Sequence, residues 1–304
     1  MLEVTNLSIS FTQYEKGMRQ KTLNVVSNLS ITINPGKILA IVGSSGSGKS
    51  LLAHSILGIL PKNAKIKGSI KYKGEELTPK LQEKLRGKEI TLIPQSVNYL
   101  NPLMQVGAQV GSSRKKEALE KQKKIFKRYS LPNKVGSLFP FQLSGGMARR
   151  VLVASAVAEG AKLVIADEPT PGLHPEVAKE TLSHLRELAD HGSEVMLITH
   201  DIATAVDVAD DIAVFYAGTT IEVAPARDFT GKGELLRHPY TKALWNALPQ
   251  NEFTTIAGLL PSQSKTHLGC IFYTMCPIKS EACLKKQPEM RDVRNGKVRC
   301  SYAT

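Results

Sequence analysis

Continuous apolar runs along this chain predict strands that are buried on both faces. Residues 37–42, 161–166 and 194–199 read KILAIV, AKLVIA and EVMLIT, without regular alternation of polar positions. Such runs are typical of parallel strands covered by helices on both sides. Between two of them, the helical stretch 175–192 begins with proline and ends with glycine. The pattern predicts an α/β fold with a mostly parallel sheet between helices.

The remaining pattern suggests how the chain is organised. Residues 1–36 read as short strands with a polar loop, and the helical stretch at 49–60 is expected to stop at Pro61. From residue 96 the sequence pattern is helical and basic, with interrupting loops. After about residue 230 the regular pattern ends, and turn residues, prolines and cysteines predominate. We predict a domain over 1–230 with a helical subdomain inserted at about 96–160, and an extension over 231–304.

Composition and charge narrow the class of protein. Of the 304 residues, 42% are hydrophobic and 22% charged, which is typical of a soluble globular protein. No apolar run reaches the roughly 18 residues of a membrane span, and the N-terminus lacks a signal-peptide pattern, so the cytosol is expected. The net charge of +13 suits a nucleic acid, an anionic membrane or anionic ligands. The basic stretch 114–128 is interpreted as a solvated helix face, with a lipid or RNA patch as the alternative.

The segment GSSGSGKS follows the first buried strand and precedes the helical stretch at 49–60. It fits the pattern G-x-x-x-x-G-K-[ST], in which backbone N–H groups surround phosphate oxygens at a helix start. Lys49 is expected to reach the β and γ phosphates, and Ser50 to ligate Mg²⁺. The predicted nucleotide-binding residues are Gly43, Ser44, Ser45, Gly46, Ser47, Gly48, Lys49 and Ser50.

Two adjacent carboxylates end the second buried strand, in the segment LVIADEP at residues 163–169. Because side chains alternate along a strand, Asp167 and Glu168 are expected to point in different directions. Asp167 is the candidate Mg²⁺ ligand, and Glu168 is the candidate general base for attack of water on a γ-phosphate. The sequence therefore predicts hydrolysis of a nucleotide as well as binding.

A second serine–glycine helix start, LSGGMARR at 143–150, lies about a hundred residues after the first. Ser144 is the predicted N-cap, and Gly145 and Gly146 would let backbone N–H groups approach an anion closely. Since one chain carries one phosphate-binding loop and one such start, two chains could complete each other's nucleotide site across a dimer.

Residues 43–50, 143–147 and 163–169, in this order, resemble the ATP-binding cassette (ABC) ATPases, in which two cassettes sandwich two ATP molecules. The resemblance implies a P-loop parallel-sheet core, an N-terminal antiparallel β subdomain and an inserted helical subdomain. It also implies ATP and Mg²⁺ as ligands. Such an ATPase would use closure of the two cassettes around ATP to drive a partner.

Further positions take expected roles from the same resemblance. Gln95 matches the glutamine that senses Mg²⁺ and the transmembrane partner, and His200 matches the histidine that contacts the γ-phosphate. Phe11 or Tyr14 lies where an aromatic side chain stacks on adenine, with an ordinary core aromatic as the alternative. His174 departs from the family pattern, which usually has an aspartate after the leucine.

A narrower resemblance covers essentially the whole chain. The segments at 94–110, 143–150, 237–249 and 269–300 are similar to the oligopeptide/dipeptide/nickel branch of bacterial ABC importers. The letters ARR after LSGGM replace the more usual Arg-Gln-Arg. The implied function is the ATP-hydrolysing motor subunit of an importer for peptides, nickel or a metal chelate. A soluble ABC ATPase acting on nucleic acid or ribosomes is the alternative.

This resemblance also implies partners and a place in the cell. The chain is expected at the cytoplasmic face of the membrane, as a peripheral subunit on two permease chains beside a second ABC ATPase, in a homodimer or a heterodimer. An extracellular solute-binding protein would deliver the cargo, and no nucleic acid is expected as a partner.

The cysteines of the chain are confined to its last part. They are Cys270, Cys276, Cys283 and Cys300, separated by five, six and sixteen residues, which is not the C-x₂-C spacing of a zinc ribbon. Clustering of this kind in a cytosolic protein favours a metal or cofactor over disulfides. The family resemblance implies a [4Fe–4S] cluster, which requires four thiolates. Structural zinc and unligated thiols are the alternatives.

Overall fold

The computed structural model describes residues 1–14, 20–111, 116–158, 160–254 and 269–304. The chain divides into two compact units. The first unit comprises Met1–Asn34, Leu39–Leu77 and Thr199–Thr304, and the second comprises Pro35–Ile38 and Thr78–Ile198.

The elements alternate along the chain as the apolar pattern predicts. The strands are β1 (Leu2–Tyr14), β2 (Gln20–Ile33), β3 (Ile38–Gly43), β4 (Ala64–Tyr72), β5 (Glu75–Glu76), β6 (Ile90–Ile93), β7 (Leu163–Asp167), β8 (Glu194–Thr199), β9 (Asp211–Tyr216), β10 (Thr219–Pro225), β11 (Arg291–Val293) and β12 (Gly296–Val298). The helices are α1 (Lys49–Leu57), α2 (Pro79–Leu85), α3 (Val106–Val110), α4 (Lys116–Arg128), α5 (Gly145–Ala158), α6 (Pro175–Asp190), α7 (Ile202–Val208), α8 (Pro239–Asn246) and α9 (Ala282–Lys285).

An antiparallel sheet with the strand order β2-β1-β4-β5 lies in the first unit. Val4 of β1 pairs with Ile31 of β2 on one side and with Ile70 of β4 on the other. All three side chains are buried, because alternate positions of these strands face the core. The antiparallel β subdomain implied by the sequence is therefore present.

The first unit also contains strands in the order β11-β12-β10-β9-β3. Strands β3 and β9 are parallel, with Ile41 opposite Ala213, and both are buried almost throughout. Strand β12 pairs antiparallel with β10, where Val298 lies opposite Glu222. The sequence beyond residue 230 is thus more regular than its turn-rich composition suggested, because short strands β11 and β12 form a hairpin against β10.

In the second unit, β8, β7 and β6 are parallel neighbours. Ile165 of β7 lies opposite Leu92 of β6 and Met196 of β8. Every residue of β7 and β8 is buried, which confirms the expectation drawn from their uninterrupted apolar runs. The α/β class predicted from the sequence is confirmed.

The predicted ends of α6 are confirmed, whereas the predicted end of α1 is wrong. Helix α6 begins at Pro175 and Gly192 follows its end with a φ of +90°, as expected. Helix α1 ends at Leu57 rather than near Pro61, because Gly58 adopts a left-handed conformation and its N–H bonds to carbonyls of the last turn. Gly58, the residue that follows the last residue of α1, therefore ends the helix, and Pro61 does not.

The described residues beyond 230 belong to the same compact unit as the N-terminal strands, and those between 96 and 160 belong to the second unit. The boundary near residue 230 stays a prediction based on a change in sequence pattern. Among the described residues, no helix combines the length and the apolar character that crossing a membrane requires.

Candidate functional site

The loop from Gly43 to Ser50 contains two glycines at which an added Cβ would clash with neighbouring atoms. A Cβ on Gly43 would lie 2.5 Å from the carbonyl oxygen of Phe215, so the backbone of β9 occupies that space. Gly48 caps α1 with a φ of +92°, and a Cβ there would lie 2.8 Å from Val26 Cγ2. The turn between β3 and α1 is therefore fixed by close packing inside the first unit.

Lys49 holds this loop together from inside. Its ammonium group donates to the carbonyl oxygens of Gly43 at 2.8 Å and Ser44 at 3.0 Å, and its side chain is buried. A phosphate oxygen of a nucleotide would compete with these carbonyls for the same protons. The N-terminus of α1 adds partial positive charge to the loop. The arrangement is that of an anion-binding loop at a helix start.

The other residues of the loop differ in exposure. Ser45, Gly46 and Ser50 are exposed, whereas Ser47 is buried, and its hydroxyl has no hydrogen-bond partner among the described residues. The N–H of Ser47 donates to the carbonyl of Ser44 at 3.2 Å, which closes the turn. The predicted nucleotide-binding residues thus form one continuous loop in the first unit.

Asp167 and Glu168 lie at the end of β7 in the second unit, and both are buried. Strand β7 ends at Asp167, and Glu168 has a φ of +49°, in the left-handed region that favours glycine. The N–H of Glu168 donates to the carbonyl of Ile198 at 2.9 Å. The direction of the Glu168 side chain is therefore set by a strained turn, and not by the strand alternation from which the sequence argument started. Backbone strain of this kind is concentrated at functional sites.

The second serine–glycine start forms the predicted N-cap of α5. The Ser144 hydroxyl accepts a hydrogen bond from the N–H of Met147 at 3.3 Å, and Ser144 and Gly145 are exposed. A Cβ on Gly145 would meet no heavy atom of the described chain within 4 Å, and one on Gly146 would only touch Val177 at 3.9 Å. As far as the described residues show, the start of α5 is open.

Gln95 lies just after β6 in the second unit, as expected from the sequence, and is tied to α5 by a residue that the sequence analysis did not select. The buried guanidinium of Arg149 donates to the carbonyls of Pro94 and Gln95, both at 2.6 Å. Burial lowers the pKa of Arg149. The sequence does mark Arg149 as unusual, because the resembling family usually has glutamine at this position.

The remaining predicted residues lie on loops and strand positions. His200 is exposed in the turn between β8 and α7, and Asp201 beside it caps α7 by accepting from the N–H of Ala203 at 2.9 Å. His174 is exposed at the N-terminus of α6 and makes no side-chain cap. Phe11 is half-buried in β1. The side chain of Tyr14 lies outside the described residues, so the choice between the two aromatics stays open.

The four cysteines line one small cavity of the first unit, of about 10 Å³. All four are free thiols, and Cys270 has its pKa raised by burial and by the other three cysteines nearby. Among the described residues, however, no three His, Cys, Asp or Glu side chains are gathered closely enough to hold a metal ion. The donor set suits a four-thiolate centre, but the cavity has room for about one water molecule. Ligation of a cluster would require the cavity to expand and the thiols to rearrange.

Comparison with known proteins identifies the family. Residues 26–171 match the family model described as ABC transporter, and residues 221–283 match the C-terminal region of oligopeptide/dipeptide transporters. An ATP-binding protein of Brucella melitensis assigned to peptide import is 34% identical over 95% of this chain and 91% of its own length. The chain belongs to the ABC transporter family. It is an ATPase coupled to transport.

Further relatives agree with this assignment. The oligopeptide transport ATP-binding protein OppD of Salmonella typhimurium is 33% identical over 99% of this chain and 93% of its own length. The dipeptide transport ATP-binding protein DppD of Haemophilus influenzae is 30% identical over 99% of this chain and 94% of its own length. All these relatives are named for transport, so an ABC ATPase acting on nucleic acid is not favoured.

Solved structures confirm the fold of the cassette. A dimeric bacterial ABC transporter cassette shares 24% identity with this chain, covers 75% of it and 99% of its own length, and gives a TM-score of 0.65. A dimeric cassette in a post-hydrolysis state bound to ADP and Pi gives a TM-score of 0.64 with the same coverage. At this identity the likeness supports the fold alone.

Proposed function

We propose that this chain is the ATP-hydrolysing subunit of a bacterial peptide importer, bound at the cytoplasmic face of the membrane to two permease chains and a second cassette. The observation that carries the proposal is the open start of α5 at Ser144 and Gly145, in a chain that has a separate phosphate-binding loop. An exposed, capped helix start attracts anions but offers only part of a phosphate site. It therefore serves a nucleotide held by the loop of another cassette.

Binding of ATP begins at the loop of the first unit. The Lys49 ammonium exchanges the carbonyls of Gly43 and Ser44 for oxygens of the β and γ phosphates, and the loop N–H groups donate to the same phosphates. Because a phosphate oxygen carries a charge opposite to that of the ammonium, whereas a carbonyl oxygen is a neutral acceptor, the exchange favours the nucleotide. Phe11 or Tyr14 covers the adenine.

Hydrolysis requires a positioned water and charge stabilisation at the γ-phosphate. Glu168 accepts a proton from the attacking water, and its turn-fixed backbone keeps the carboxylate in place. Ser50 and Asp167 supply oxygen ligands of the kind that Mg²⁺ prefers, and Gln95 senses the ion. When bound, Mg²⁺ neutralises charge on the phosphate oxygens. His200 contacts the γ-phosphate, and Ser144 with Gly145 and Gly146 completes the partner's site.

The cargo and partners are inferred from the relatives. Their names favour peptides over nickel or a metal chelate as the transported substrate. A solute-binding protein outside the cell would deliver the peptide to the permeases, and the second cassette would be a sister ATPase or a second copy of this chain. In a reconstituted complex, peptides presented by that binding protein should stimulate ATP turnover, whereas nickel salts should not. Stimulation of ATP turnover by nickel alone would instead indicate a metal importer.

We further propose that the four cysteines hold a [4Fe–4S] cluster, with zinc as the alternative. The support is that the four cysteine residues line one cavity and that such a cluster requires four thiolates. Protein purified without oxygen should contain iron and sulfide and absorb broadly near 400 nm (roughly, as thiolate-bound clusters do). Stoichiometric zinc with no such absorbance would identify zinc, and a metal-free protein would leave the thiols unligated.

Nucleotide binding and dimer-dependent turnover test the main proposal. Lys49→Ala should abolish binding of a fluorescent ATP analogue, because the loop loses its only full positive charge, whereas Lys88→Ala on the surface should not. Turnover per chain should fall when the purified protein is diluted, because each site needs two cassettes. Constant specific activity at every dilution would contradict the shared site.

A further inference from the structure

Cys270 and Cys283 are brought together by the backbone of the C-terminal extension. The N–H of Cys270 donates to the carbonyl of Cys283 at 2.7 Å. Gly269 permits this close approach, because a Cβ there would lie 2.3 Å from the same carbonyl oxygen and 2.6 Å from that of Leu284. Hydrogen-bonded residues of antiparallel strands have Cα atoms about 5.5 Å apart, and a disulfide spans about 4.4–6.8 Å between Cα atoms. The two backbones therefore lie at a separation that a disulfide can bridge.

The same two cysteines also face a common space. Both line the cavity of about 10 Å³, which has room for about one water molecule and so leaves little distance between the groups around it. Both are free thiols and only half-buried, so a small oxidant can reach them. In the described part of the chain, no three potential ligands are close enough to hold a metal ion. A bond between two of the thiols therefore needs less rearrangement than ligation of a cluster by all four.

Cys276 and Cys300 line this cavity as well, but their backbones are held elsewhere. The N–H of Cys276 donates to the carbonyl of Tyr273 at 3.3 Å, within its own turn. The carbonyl of Cys300 accepts from Nε of Arg291 at 2.7 Å, and Cys300 is the most buried of the four cysteines. The fold thus distinguishes one pair of cysteines, which is directly joined through the backbone, from the other two.

We propose that Cys270 and Cys283 form a reversible disulfide in the chain that carries no metal, which makes the C-terminal extension a redox-sensitive site. The oxidant is a small disulfide of the type of oxidised glutathione. One cysteine thiolate attacks a glutathione sulfur and releases one glutathione, and the second cysteine attacks the resulting mixed disulfide and releases the other. The two thiol protons pass to the two released glutathione molecules. The protein sulfurs are oxidised, and the glutathione disulfide is reduced.

This proposal goes beyond the import function and does not depend on ATP binding. The disulfide uses two sulfur atoms that a four-thiolate centre would require. Oxidation of the pair and occupation of the centre by a cluster therefore exclude each other. Disulfides in the cytosol are usually transient and often redox-sensing, which is the behaviour expected of such a pair.

The test uses the full-length chain, freed of metal with a chelator, reduced, and then treated with oxidised glutathione. Trypsin cleaves after lysines and arginines, so Cys283 and Cys300 end on separate peptides, whereas Cys270 and Cys276 share one. Mass spectrometry should find the peptide of Cys283 joined to the shared peptide, and dithiothreitol should release it. Iron and zinc measured before chelation decide the cluster proposal separately.

Serine variants identify the pair. The cross-link should persist in Cys276→Ser, where only Cys270 remains on the shared peptide, and also in Cys300→Ser. It should disappear in Cys270→Ser and in Cys283→Ser, and the thiol left without its partner should instead accumulate as a mixed disulfide with glutathione. These four variants each remove one thiol from the same cavity, so they are matched controls for one another.

Treatment of the chain in urea shows whether the fold selects the pair. Shorter loops close more easily in an unfolded chain, so links through Cys276 to Cys270 and to Cys283 should then appear beside other pairings. The proposal would be overturned if the folded chain gave no cross-link, or one that involves Cys276 or Cys300. It would also be overturned if the link between Cys270 and Cys283 predominated equally in urea.

Discussion

The two serine–glycine helix starts of this chain are similar in sequence and opposite in surroundings. At the first, a Cβ on Gly43 would lie 2.5 Å from a backbone oxygen of the same unit, and Lys49 closes the loop from inside. At the second, a Cβ on Gly145 would touch no described atom within 4 Å. Gly145 is exposed at the first position of α5, where glycine has no advantage over alanine in helix propensity. The first glycine is explained by its own chain, whereas the second requires an explanation outside it.

This difference is the physical reason for proposing a shared site. A glycine that relieves no contact with the described residues and needs no unusual backbone angle leaves room for another molecule. The Ser144 cap and the α5 start beside it attract an anion. Substitutions at the two helix starts should therefore have different effects. Those at the first should impair the chain's own nucleotide site, and those at the second should impair the site of its partner.

The largest effect is expected from Glu168→Gln, which leaves both helix starts intact and removes only the base. Turnover should fall about 10²- to 10⁴-fold, the usual contribution of general-base catalysis, while binding of an ATP analogue stays at the wild-type level. Steady-state hydrolysis and equilibrium binding on the same preparation check this. Asp201→Asn, a change at an exposed helix cap, is the control with a similar loss of charge. Undiminished hydrolysis would remove Glu168 from the mechanism.

Ser144→Arg should lower turnover by about 100-fold or more, because it blocks phosphate donors at the open start. ATP binding to the single chain should be unchanged, since its own loop is untouched. Ser183→Arg is the matched control, an exposed serine on α6 given the same charge.

Mixed dimers of tagged copies make this prediction sharper. With Ser144→Arg on one copy and Lys49→Ala on the other, one complete site remains and turnover persists. With both substitutions on one copy beside a wild-type copy, each site is damaged and turnover stops. Equal activity in the two combinations would show that the α5 start does not act on its partner's nucleotide.

An alanine substitution at each start should give opposite changes in stability. Gly43→Ala should lower the free energy of unfolding by about 1–3 kcal/mol, because a methyl group is forced against the carbonyl of Phe215. Gly145→Ala should raise it slightly, by less than about 0.5 kcal/mol, because alanine has the better helix propensity and the first helical position feels only part of it. Urea unfolding monitored by circular dichroism measures both. If the two variants lost equal stability, the open start would be packed in solution and the contrast between the regions would disappear.

A moderate effect on stability is also expected at Arg149, which ties α5 to the carbonyls of Pro94 and Gln95. Arg149→Gln should lower the free energy of unfolding by about 1–2 kcal/mol, because at least one buried carbonyl loses a charge-assisted hydrogen bond. Arg150→Gln is the control, since its bond to the Ser130 carbonyl is long, at 3.4 Å, and exposed. Unfolding curves that coincide for the two variants would show that the Arg149 contacts contribute nothing measurable.

Much of the fold followed from local pattern. The runs at β3, β7 and β8 predicted buried parallel strands, because a sheet covered on both faces admits only apolar residues there. The phosphate-binding loop was equally readable, because its glycines, lysine and serine stand in one short segment. Local chemistry of this kind is carried by neighbouring residues, so the sequence contains it directly.

Long-range contacts were not readable. Nothing near Gly43 in the sequence indicates the close approach of the Phe215 carbonyl, because the two residues meet only through folding. The predicted end of α1 at Pro61 is wrong, because Gly58 adopts a left-handed conformation and ends the helix first. The orientation of Glu168 was attributed to strand alternation, which does not continue past Asp167. Each of these depends on backbone angles or partners that lie outside the local pattern.

The left-handed backbone at Glu168 has a consequence for engineering this protein. A non-glycine residue at a φ of +49° costs stability that glycine would recover. A screen that rewards heat resistance alone would therefore be drawn to glycine at this position, and every variant so improved would lose the carboxylate. Thermostabilised forms should be sought with this position held fixed.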